Sequence, residues 1–202
     1  MSSVLVLFAH PALEKSRVNR QLIRNIRTAD GVTFHDLYER YPDFHIDVVT
    51  EQKLLTEHDI IVLQHPFYWY SAPALVKEWL DIVFEHGWAY GHEGKALHGK
   101  ILLNAITTGG QEEAYCRDGY NRFTMAQFLA PFDQTAHLCG MHYLPPFVVH
   151  GTYSLTPSDI DRHADDYRRV IEGLRDGTLD LDAARAQPRL NLDLDKTLPG
   201  RR

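Results

Sequence analysis

The chain has 202 residues, of which 44% are hydrophobic, and this is enough for one globular domain with a buried core. Its formal net charge of −6 argues against a broad nucleic-acid interface, which requires a basic surface. The apolar run near the amino end is much shorter than the roughly 20 residues that span a bilayer, and no basic signal-peptide segment precedes it. We therefore expect a cytoplasmic protein, either free or peripheral on the inner face of the cell membrane.

The first half of the chain alternates short apolar runs with helical patterns. Val4–Phe8 is a continuous apolar run, typical of a strand buried on both faces of a parallel sheet. A helix is predicted over residues 20–29, and a second strand over Val32–Asp36. The connection that follows reads as irregular until Asp47, which can cap a helix over residues 48–58.

The same alternation continues to residue 177. A third strand is predicted over residues 60–64, stopped by Pro66, with an amphipathic helix from Pro73 onward. A fourth strand runs into the sequence TTGG, and a helix near 122–137 and a strand near 143–150 come next. The last helix is predicted between a Thr156 cap and Gly177.

Five strands alternating with five helices predict a doubly wound α/β sheet that occupies residues 1–177. Residues 178–202 lack helical amphipathicity and contain two prolines. We interpret them as a C-terminal tail that lies over the body or across a partner.

In an open α/β sheet, ligands bind beyond the carboxyl ends of the strands, so the loops at that edge are candidates for a site. The loop after the first strand has neither a dinucleotide nor a P-loop glycine pattern. It does place Ser16 and Asn19 at a helix start, where free N–H groups and the helix dipole favour phosphate. The alternative is that Ser16 only caps the helix.

The loops after the third and fourth strands complete a possible crevice. Residues 67–70 read Phe-Tyr-Trp-Tyr, and these rings could pack on a flat heterocycle or could be core aromatics at a strand–helix corner. The TTGG loop allows the backbone to approach a ligand closely, although a plain tight turn is the alternative. A phosphate end, an aromatic wall and a polar rim together indicate flavin mononucleotide (FMN).

Several longer motifs occur in order up to about residue 150: FAHP, LYERYPDFHID, DIIVLQHPFYWYSAPALVKEWLD, GWAYG, ALHGK, TTGG and CGMHYLPPF. In these motifs the chain resembles the flavodoxin-like NAD(P)H:quinone oxidoreductases, and in particular the ancillary subunits of glutathione-gated potassium-efflux systems. The resemblance implies a flavodoxin-like three-layer sandwich: a five-stranded parallel sheet of order 2-1-3-4-5 with helices on both faces. It does not extend to the tail.

The resemblance also implies a site for FMN, with FAD as an alternative. The first loop would hold the phosphate, the aromatic loop the edge of the flavin ring, and the TTGG loop the ring and the ribityl chain. The implied cofactor-binding residues are His10, Ser16, Arg17, Val18, Asn19, Phe67, Tyr68, Trp69, Tyr70, Thr107, Thr108, Gly109 and Gly110.

Better-studied quinone reductases of this fold use a Tyr and a His to stabilise charge on the reduced flavin. Tyr115 falls in register with the Tyr, and Asn121 falls at or near the position of the His. Since no His occurs between Gly110 and His137, this part of the family pattern is missing. Asn121 could donate a hydrogen bond but could not deliver a proton near neutral pH.

The function implied by the resemblance is ping-pong transfer of two electrons from NAD(P)H through FMN to a quinone or another flat electrophilic acceptor. Relatives of this kind are homodimers, so Trp88 and Tyr90 could close the site of a neighbouring chain or could simply pack on the surface. The alternative function is a regulatory subunit on the cytoplasmic domain of a potassium-efflux antiporter.

No metal site is expected, because the histidines form no H-x-x-x-H or H-E-x-x-H pair. Cys116 and Cys139 also lack metal-binding or redox spacing, which indicates two reduced thiols.

Overall fold

The sheet is parallel throughout, and the side chains of its central strands are buried on both faces. The computed structural model describes residues 1–198. Its strands are β1 Val4–Phe8, β2 Val32–Asp36, β3 Ile60–Pro66, β4 Ile101–Thr107, β5 His142–Tyr143 and β6 Phe147–Val149. They lie in the order β2-β1-β3-β4-β5, with β6 also paired to β4, and this confirms the predicted order.

The predicted fifth strand, 143–150, is divided into β5 and β6. The N–H of Leu144 still donates to Leu102 of β4 at 3.0 Å, but the two residues that follow are Pro145 and Pro146. Because proline has no N–H to donate, the ladder stops there. It resumes where Phe147 pairs with Ala105, so β5 and β6 are two halves of one edge strand beside β4.

Helices cover both faces of this sheet. They are α1 Arg17–Arg24, α2 Leu37–Arg40, α3 Val48–Glu57, α4 Ala74–Val83, α5 Met125–Phe128, α6 Ala130–Leu138, α7 Pro157–Asp176, α8 Leu181–Arg185 and α9 Leu194–Thr197. Leu5 and Leu7 of β1 join a core with Trp79 of α4, whereas the alternate residues of β1 join a second core with Tyr167 of α7. The result is the three-layer α/β sandwich expected from the sequence.

Local capping signals were reliable predictors of helix ends. The Asp47 side chain accepts a hydrogen bond from the N–H of Thr50 at 3.2 Å and starts α3. Thr156 and Asp159 form a reciprocal capping box at the start of α7, and Gly177 ends this helix with φ of 66°. These predicted caps are therefore confirmed.

Two predicted helices have different bounds in the structure. The helix predicted over 20–29 is α1, which begins at Arg17 because Ser16 caps it, and ends at Arg24. The helix predicted over 122–137 begins only after the Thr124 cap and is interrupted at Leu129, where φ is −90° and ψ is 2°. Pro131 follows this break and has no N–H with which to continue the first segment.

Three further predictions need correction. The connection after β2 contains α2, which the Asp36 carboxylate caps through the N–H groups of Tyr38 and Glu39. Strand β3 continues through Pro66 rather than ending at residue 64, since its edge stays paired with β4. Pro73 immediately precedes α4 as its N-cap and is not inside the first turn.

The C-terminal segment packs on the core beneath α7. Leu179, Leu190, Leu194 and Leu198 are all buried there, and Leu198 contacts Gly173 at a point where a Cβ would collide with it. The N–H of Asp180 also donates to the carbonyl of Thr197 at 2.9 Å. Residues 178–198 thus contribute apolar side chains and two short helices to one face of the sandwich.

A buried carboxylate connects α3 to the sheet and to α4. Glu51 is fully buried, and its oxygens accept hydrogen bonds from the Tyr41 hydroxyl at 2.6 Å and from Trp79 Nε1 at 2.8 Å, while His35 Nε2 lies 2.8 Å away. Burial alone would raise the pKa of Glu51. The hydrogen bonds from His35, Tyr41 and Trp79 outweigh that effect and lower the pKa below its ordinary value.

We expect Glu51→Leu to lower the free energy of unfolding by about 3 kcal/mol, because it leaves buried donors unpaired. Urea denaturation measures this loss. Glu57→Gln is the control on the same helix, since the Glu57 side chain is 54% exposed and forms a surface ion pair with Lys53, and it should change stability by less than about 0.5 kcal/mol. Equal effects from the two variants would contradict a structural role for Glu51.

The same carboxylate gives a pH dependence of stability. A pKa that folding lowers contributes stability above the unfolded-state pKa, and this contribution disappears as the pH falls through the folded-state value. The stability difference between wild type and Glu51→Gln should therefore be constant above about pH 5 and shrink below about pH 4. Urea titrations at several pH values measure it, and a difference that grows on acidification would refute the assignment.

Candidate functional site

A cleft of about 350 Å³ lies at the carboxyl ends of the strands, within the usual size range of small-molecule sites. The loops after β1, β3, β4 and β6 form its walls. The lining residues are His10, Lys15, Ser16, Arg17, Val18, Asn19, Pro66, Phe67, Tyr68, Thr107, Gly109, Thr152 and Tyr153.

The cleft occupies the topological switch point of the sheet. From β1 the chain moves outward to β2 on one side, and it then returns to place β3 on the other side of β1. The loops after β1 and β3 therefore diverge and leave a crevice between them. This is the edge at which the sequence predicted a ligand.

One end of the cleft is built around the start of α1. Ser16 Oγ accepts hydrogen bonds from the backbone N–H of Asn19 at 3.1 Å and from Asn19 Nδ2 at 3.2 Å, so Ser16 caps the helix and lines the cleft at once. Asn19 Nδ2 also donates to Thr107 Oγ1 at 2.9 Å, which ties α1 to the end of β4.

This end suits a phosphate on grounds of charge and of free N–H donors. The first N–H groups of α1 have no intrahelical acceptor, and the helix dipole adds positive potential there. Lys15 and Arg17 add cationic side chains at the same end. Asn19 is 1% exposed, and its Oδ1 has no hydrogen-bond partner within residues 1–198, which leaves an unpaired polar atom beside the cleft.

His10 forms a neutral, buried part of the wall. Its Nδ1 accepts a hydrogen bond from the N–H of Ala12 at 3.1 Å, and its ring meets Tyr68 edge-on with centroids 6.0 Å apart. Burial lowers the pKa of His10, only partly opposed by the nearby carboxylate of Glu14. The imidazole is thus uncharged at neutral pH and tolerates a polar but uncharged ligand group.

The aromatic run divides between the cleft and the outer surface. Phe67 and Tyr68 line the cleft, whereas Trp69 and Tyr70 are not among its lining residues. Tyr70 stacks on Phe128 with centroids 5.2 Å apart, and Trp69 is 93% exposed. Packing in the core therefore accounts for part of this run and cannot account for Trp69.

The outward direction of Trp69 and Tyr70 results from a tight turn. Tyr68 and Ser71 exchange backbone hydrogen bonds of 3.1 and 3.0 Å around these two residues. Both have positive φ, 49° at Trp69 and 65° at Tyr70, as in a type I′ turn. Such turns normally contain Asn-Gly, so two bulky aromatics here are strained.

We expect Trp69→Asn to raise the free energy of unfolding by about 1 kcal/mol, because Asn tolerates positive φ and the exposed indole loses no core packing. Thermal and urea denaturation measure the gain. Tyr120→Asn is the matched control, since Tyr120 is 91% exposed and is not among the positive-φ residues. A destabilised Trp69→Asn variant would show that the indole is part of the core after all.

The TTGG loop lies partly in the cleft wall and partly behind it. Thr107 and Gly109 line the cleft, while the N–H of Thr108 donates to Val149 of β6 at 2.9 Å. Thr108 Oγ1 shares a hydrogen bond with the Tyr115 hydroxyl, which also covers Gly110 at 2.8 Å from the position that a Cβ would occupy. A side chain at Gly110 would displace Tyr115.

The two predicted catalytic residues lie on neighbouring backbone segments, since the N–H of Asn121 donates to the carbonyl of Ala114 at 2.9 Å. The Asn121 side chain is bonded to the aromatic hairpin, where its Oδ1 accepts a hydrogen bond from the Tyr70 hydroxyl at 3.4 Å. The histidine that packs against Tyr115 is His150, with ring centroids 5.4 Å apart. Burial lowers the pKa of His150 to about 4, and within residues 1–198 its Nδ1 has no hydrogen-bond partner.

Sequence reasoning missed the contribution of the loop after β6, which supplies His150, Thr152 and Tyr153. The Tyr153 ring packs over Gly109 although the residue is 89% exposed, so it forms an outer flap of the cleft. The rule that ligands bind at carboxyl strand ends applies to the fifth strand as well and could have indicated this loop. Lys15 was not predicted, because the phosphate seat was assigned to the helix start from Ser16 onward, and Lys15 lies just before it.

Within residues 1–198, no helix combines the length and the apolar character needed to cross a bilayer. The same residues contain no group of three or more His, Cys, Asp or Glu side chains placed to hold a metal ion.

Comparison with known proteins places the chain in a family. Residues 2–171 match a family model described as a flavodoxin-like fold. This chain belongs to that family. It is also 48% identical over 166 residues to the glutathione-regulated potassium-efflux system ancillary protein KefG of Salmonella paratyphi B, covering 82% of this chain and 91% of KefG. The resemblance stated from the motifs is therefore confirmed.

Similar solved structures share the fold under different names. A chain named for the thermophilic tryptophan halogenase of Streptomycin violaceusniger has a TM-score of 0.81 and 46% identity, covering 83% of this chain and 97% of that one. General stress protein 14 of Treponema denticola, in complex with FMN, has a TM-score of 0.82 and 39% identity, covering 85% and 99%. An NADPH-quinone reductase of P. pentosaceus has a TM-score of 0.76 and 34% identity, covering 83% and 96%.

Proposed function

We propose that this protein is a flavin-dependent oxidoreductase that transfers two electrons from NAD(P)H through bound FMN to a quinone or another flat acceptor. The observation that carries the proposal is one cleft at the switch point of the sheet that joins an anion-binding end at α1 to an aromatic wall. The FMN complex of the Treponema neighbour and the name of the P. pentosaceus reductase support it.

In this proposal the start of α1 binds the phosphate of FMN. The N–H groups of Arg17 and Val18 and the Ser16 hydroxyl would donate to its oxygens, and Lys15 would balance its charge. Asn19 would support this end from behind, because its Nδ2 already donates to Ser16 Oγ and Thr107 Oγ1 and so holds the start of α1 against the end of β4. FMN is favoured over FAD because the Treponema neighbour of the same fold is in complex with FMN.

The wall of the cleft would hold the planar part of the cofactor. Phe67 and Tyr68 provide aromatic surface on one side, and Gly109 lets the backbone approach closely on the other. When bound, FMN supplies the two-electron chemistry that links nicotinamide to acceptor. The protein's task is to orient the two flat substrates on the same open face and to exclude water from it.

Tyr115 is our candidate for stabilising negative charge at the site. Its hydroxyl is bonded to Thr108 Oγ1, directly behind the Thr107–Gly109 wall, so its O–H can support that wall or turn toward the cleft. His150 packs against Tyr115, and its lowered pKa leaves the imidazole uncharged near neutral pH, so His150 adds no positive charge beside the Tyr115 hydroxyl. Asn121 would act more remotely, as a hydrogen-bond partner of Tyr70.

The rim of the cleft explains why a flat acceptor is proposed. Tyr68, Trp69 and Tyr153 are exposed aromatics at or beside the mouth, and apolar planar molecules bind such surfaces well. In a homodimer, this rim would adjoin the second chain. Trp88 and Tyr90 already pack in part against their own core, so only their outer faces would be available to a partner.

The second candidate function is an ancillary subunit of a potassium-efflux antiporter, favoured by the 48% identity to KefG. An exposed aromatic rim is also suited to binding a protein. The two functions are compatible, because a redox enzyme can dock on a transporter through surfaces outside its cleft.

The proposal predicts FMN binding and quinone-dependent oxidation of NAD(P)H. Apo-protein titrated with FMN should quench flavin fluorescence with a one-to-one end point. The loaded protein should oxidise NAD(P)H with two-electron stoichiometry when a benzoquinone is added. A protein that retains no FMN and stays inactive refutes the enzyme, whereas FMN binding without turnover, together with capture of an antiporter domain, favours the ancillary role.

We expect Lys15→Glu to weaken FMN binding about tenfold, because it places a negative charge beside the phosphate end. Binding of riboflavin, which has no phosphate, should be unchanged. Fluorescence titration measures both ligands. Arg24→Glu, at the opposite end of the same helix, is the matched control of equal charge change and should alter neither affinity.

Equal losses for FMN and riboflavin in the Lys15→Glu variant would place the phosphate elsewhere. An equal effect of Arg24→Glu would indicate only a general influence of protein charge.

A further inference from the structure

A short stretch of the C-terminal tail reaches the loop that contains Tyr115. The guanidinium of Arg189 donates from Nε to Glu112 Oε1 at 3.2 Å and from Nη2 to Glu112 Oε2 at 2.7 Å. Its Nη1 donates to the carbonyl of Asn191 at 2.9 Å, and the side chain is only 16% exposed. Arg189 therefore forms a bidentate ion pair with the Glu112 carboxylate. The Asn191 carbonyl in turn holds the guanidinium in place.

The neighbours of Arg189 anchor this stretch to the edge of the sheet. Asn191 Oδ1 accepts the N–H of Val148 at 3.0 Å, and Asn191 Nδ2 donates to the Val148 carbonyl at 2.8 Å, in the manner of a paired strand. The N–H of Leu190 donates to Pro146 at 2.9 Å, and the Leu190 side chain is fully buried. The backbone that follows Arg189 is thus fixed to the edge of the sheet.

Glu112 is well placed to transmit this contact to Tyr115. It begins the short 3₁₀ turn Glu112–Ala114, and its carbonyl accepts the N–H of Tyr115 at 3.0 Å. Beyond that turn, the Tyr115 side chain is bonded to Thr108, covers Gly110 and packs against neighbouring rings. Holding Glu112 consequently limits where the Tyr115 hydroxyl can lie.

We propose that residues 187–191 form a strap that orders the loop from Gly110 to Tyr115, with Arg189 as a positioning residue for Tyr115. The strap lies beyond the family match, which ends at residue 171. The effect on catalysis rests on the proposed function, whereas the ordering of the loop does not.

The first test uses flavin-free protein and amide hydrogen exchange. In Arg189→Met, the amides of residues 112–115 should exchange about fivefold faster than in wild type, the size expected for loss of a partly exposed ion pair. Asp195→Asn is the matched control, because Asp195 belongs to the same tail but pairs with Arg169 at 3.2 Å on α7. It should leave exchange in the loop unchanged.

The second test uses FMN-loaded protein and separates positioning from folding. Arg189→Met should lower kcat about fivefold, while KM for the nicotinamide should change by less than about twofold. Arg189→Lys should recover part of the loss in kcat, because lysine keeps the positive charge but cannot form the bidentate contact. In a Tyr115→Phe background, Arg189→Met should cause no further decrease in kcat, since the hydroxyl it positions is already absent.

Unchanged loop exchange in Arg189→Met, or an equal rise in Asp195→Asn, overturns the strap. A further decrease in kcat on the Tyr115→Phe background overturns the link to Tyr115. If the chain binds no flavin and the loop still exchanges faster in Arg189→Met alone, the proposed function fails and the strap stands.

Discussion

The candidate site depends on the parallel register of β1, β3 and β4. Phe8 pairs with Gln64, and Gln64 with Ala105, so the three strands end at nearly the same level. They are buried on both faces, and slipping one strand by a residue would move its apolar side chains to the wrong core. The core therefore fixes the relative positions of three loops that are far apart in the sequence.

The hydrogen bond from Asn19 Nδ2 to Thr107 Oγ1 holds two walls of the cleft together. It joins the helix after β1 to the end of β4, across the carboxyl end of β3, and it is buried from solvent. A hydrogen bond in such a place is held firmly, because breaking it would leave both partners without water. The anion-binding end and the TTGG wall consequently keep a constant separation without any ligand.

At the rim of the cleft, two residues have strained backbone angles and two buried polar atoms lack hydrogen-bond partners in the part of the chain that the structure describes. Trp69 and Tyr70 have positive φ, while Asn19 Oδ1 and His150 Nδ1 are buried and unpaired within residues 1–198. Each such feature costs on the order of 1–3 kcal/mol, and two closely packed cores offset the sum. Their concentration at one edge of the sheet is the reason for treating that edge as a candidate site.

Sequence alone predicted the features that depend on local signals. Val4–Phe8 was predicted with correct bounds because an uninterrupted apolar run has few alternatives, and Thr156 and Gly177 marked the ends of α7 through their own backbone chemistry. It failed where the outcome depends on distant residues. The exposure of Trp69 follows from a turn type that Trp-Tyr does not suggest, and His150 reaches Tyr115 only because β6 lies beside β4.

The tail illustrates how such distant contacts gain strength from one another. An ion pair between Arg189 and a half-exposed Glu112 would contribute little if both side chains were free to move. Here Leu190 and Asn191 fix the backbone on either side, and Asn191 also orients the guanidinium, so most of the entropy of ordering Arg189 is already lost on folding. The same two residues cover backbone groups of the interrupted edge strand that would otherwise invite pairing with another chain. Protection of the edge and order in the Tyr115 loop are therefore two consequences of one anchored segment.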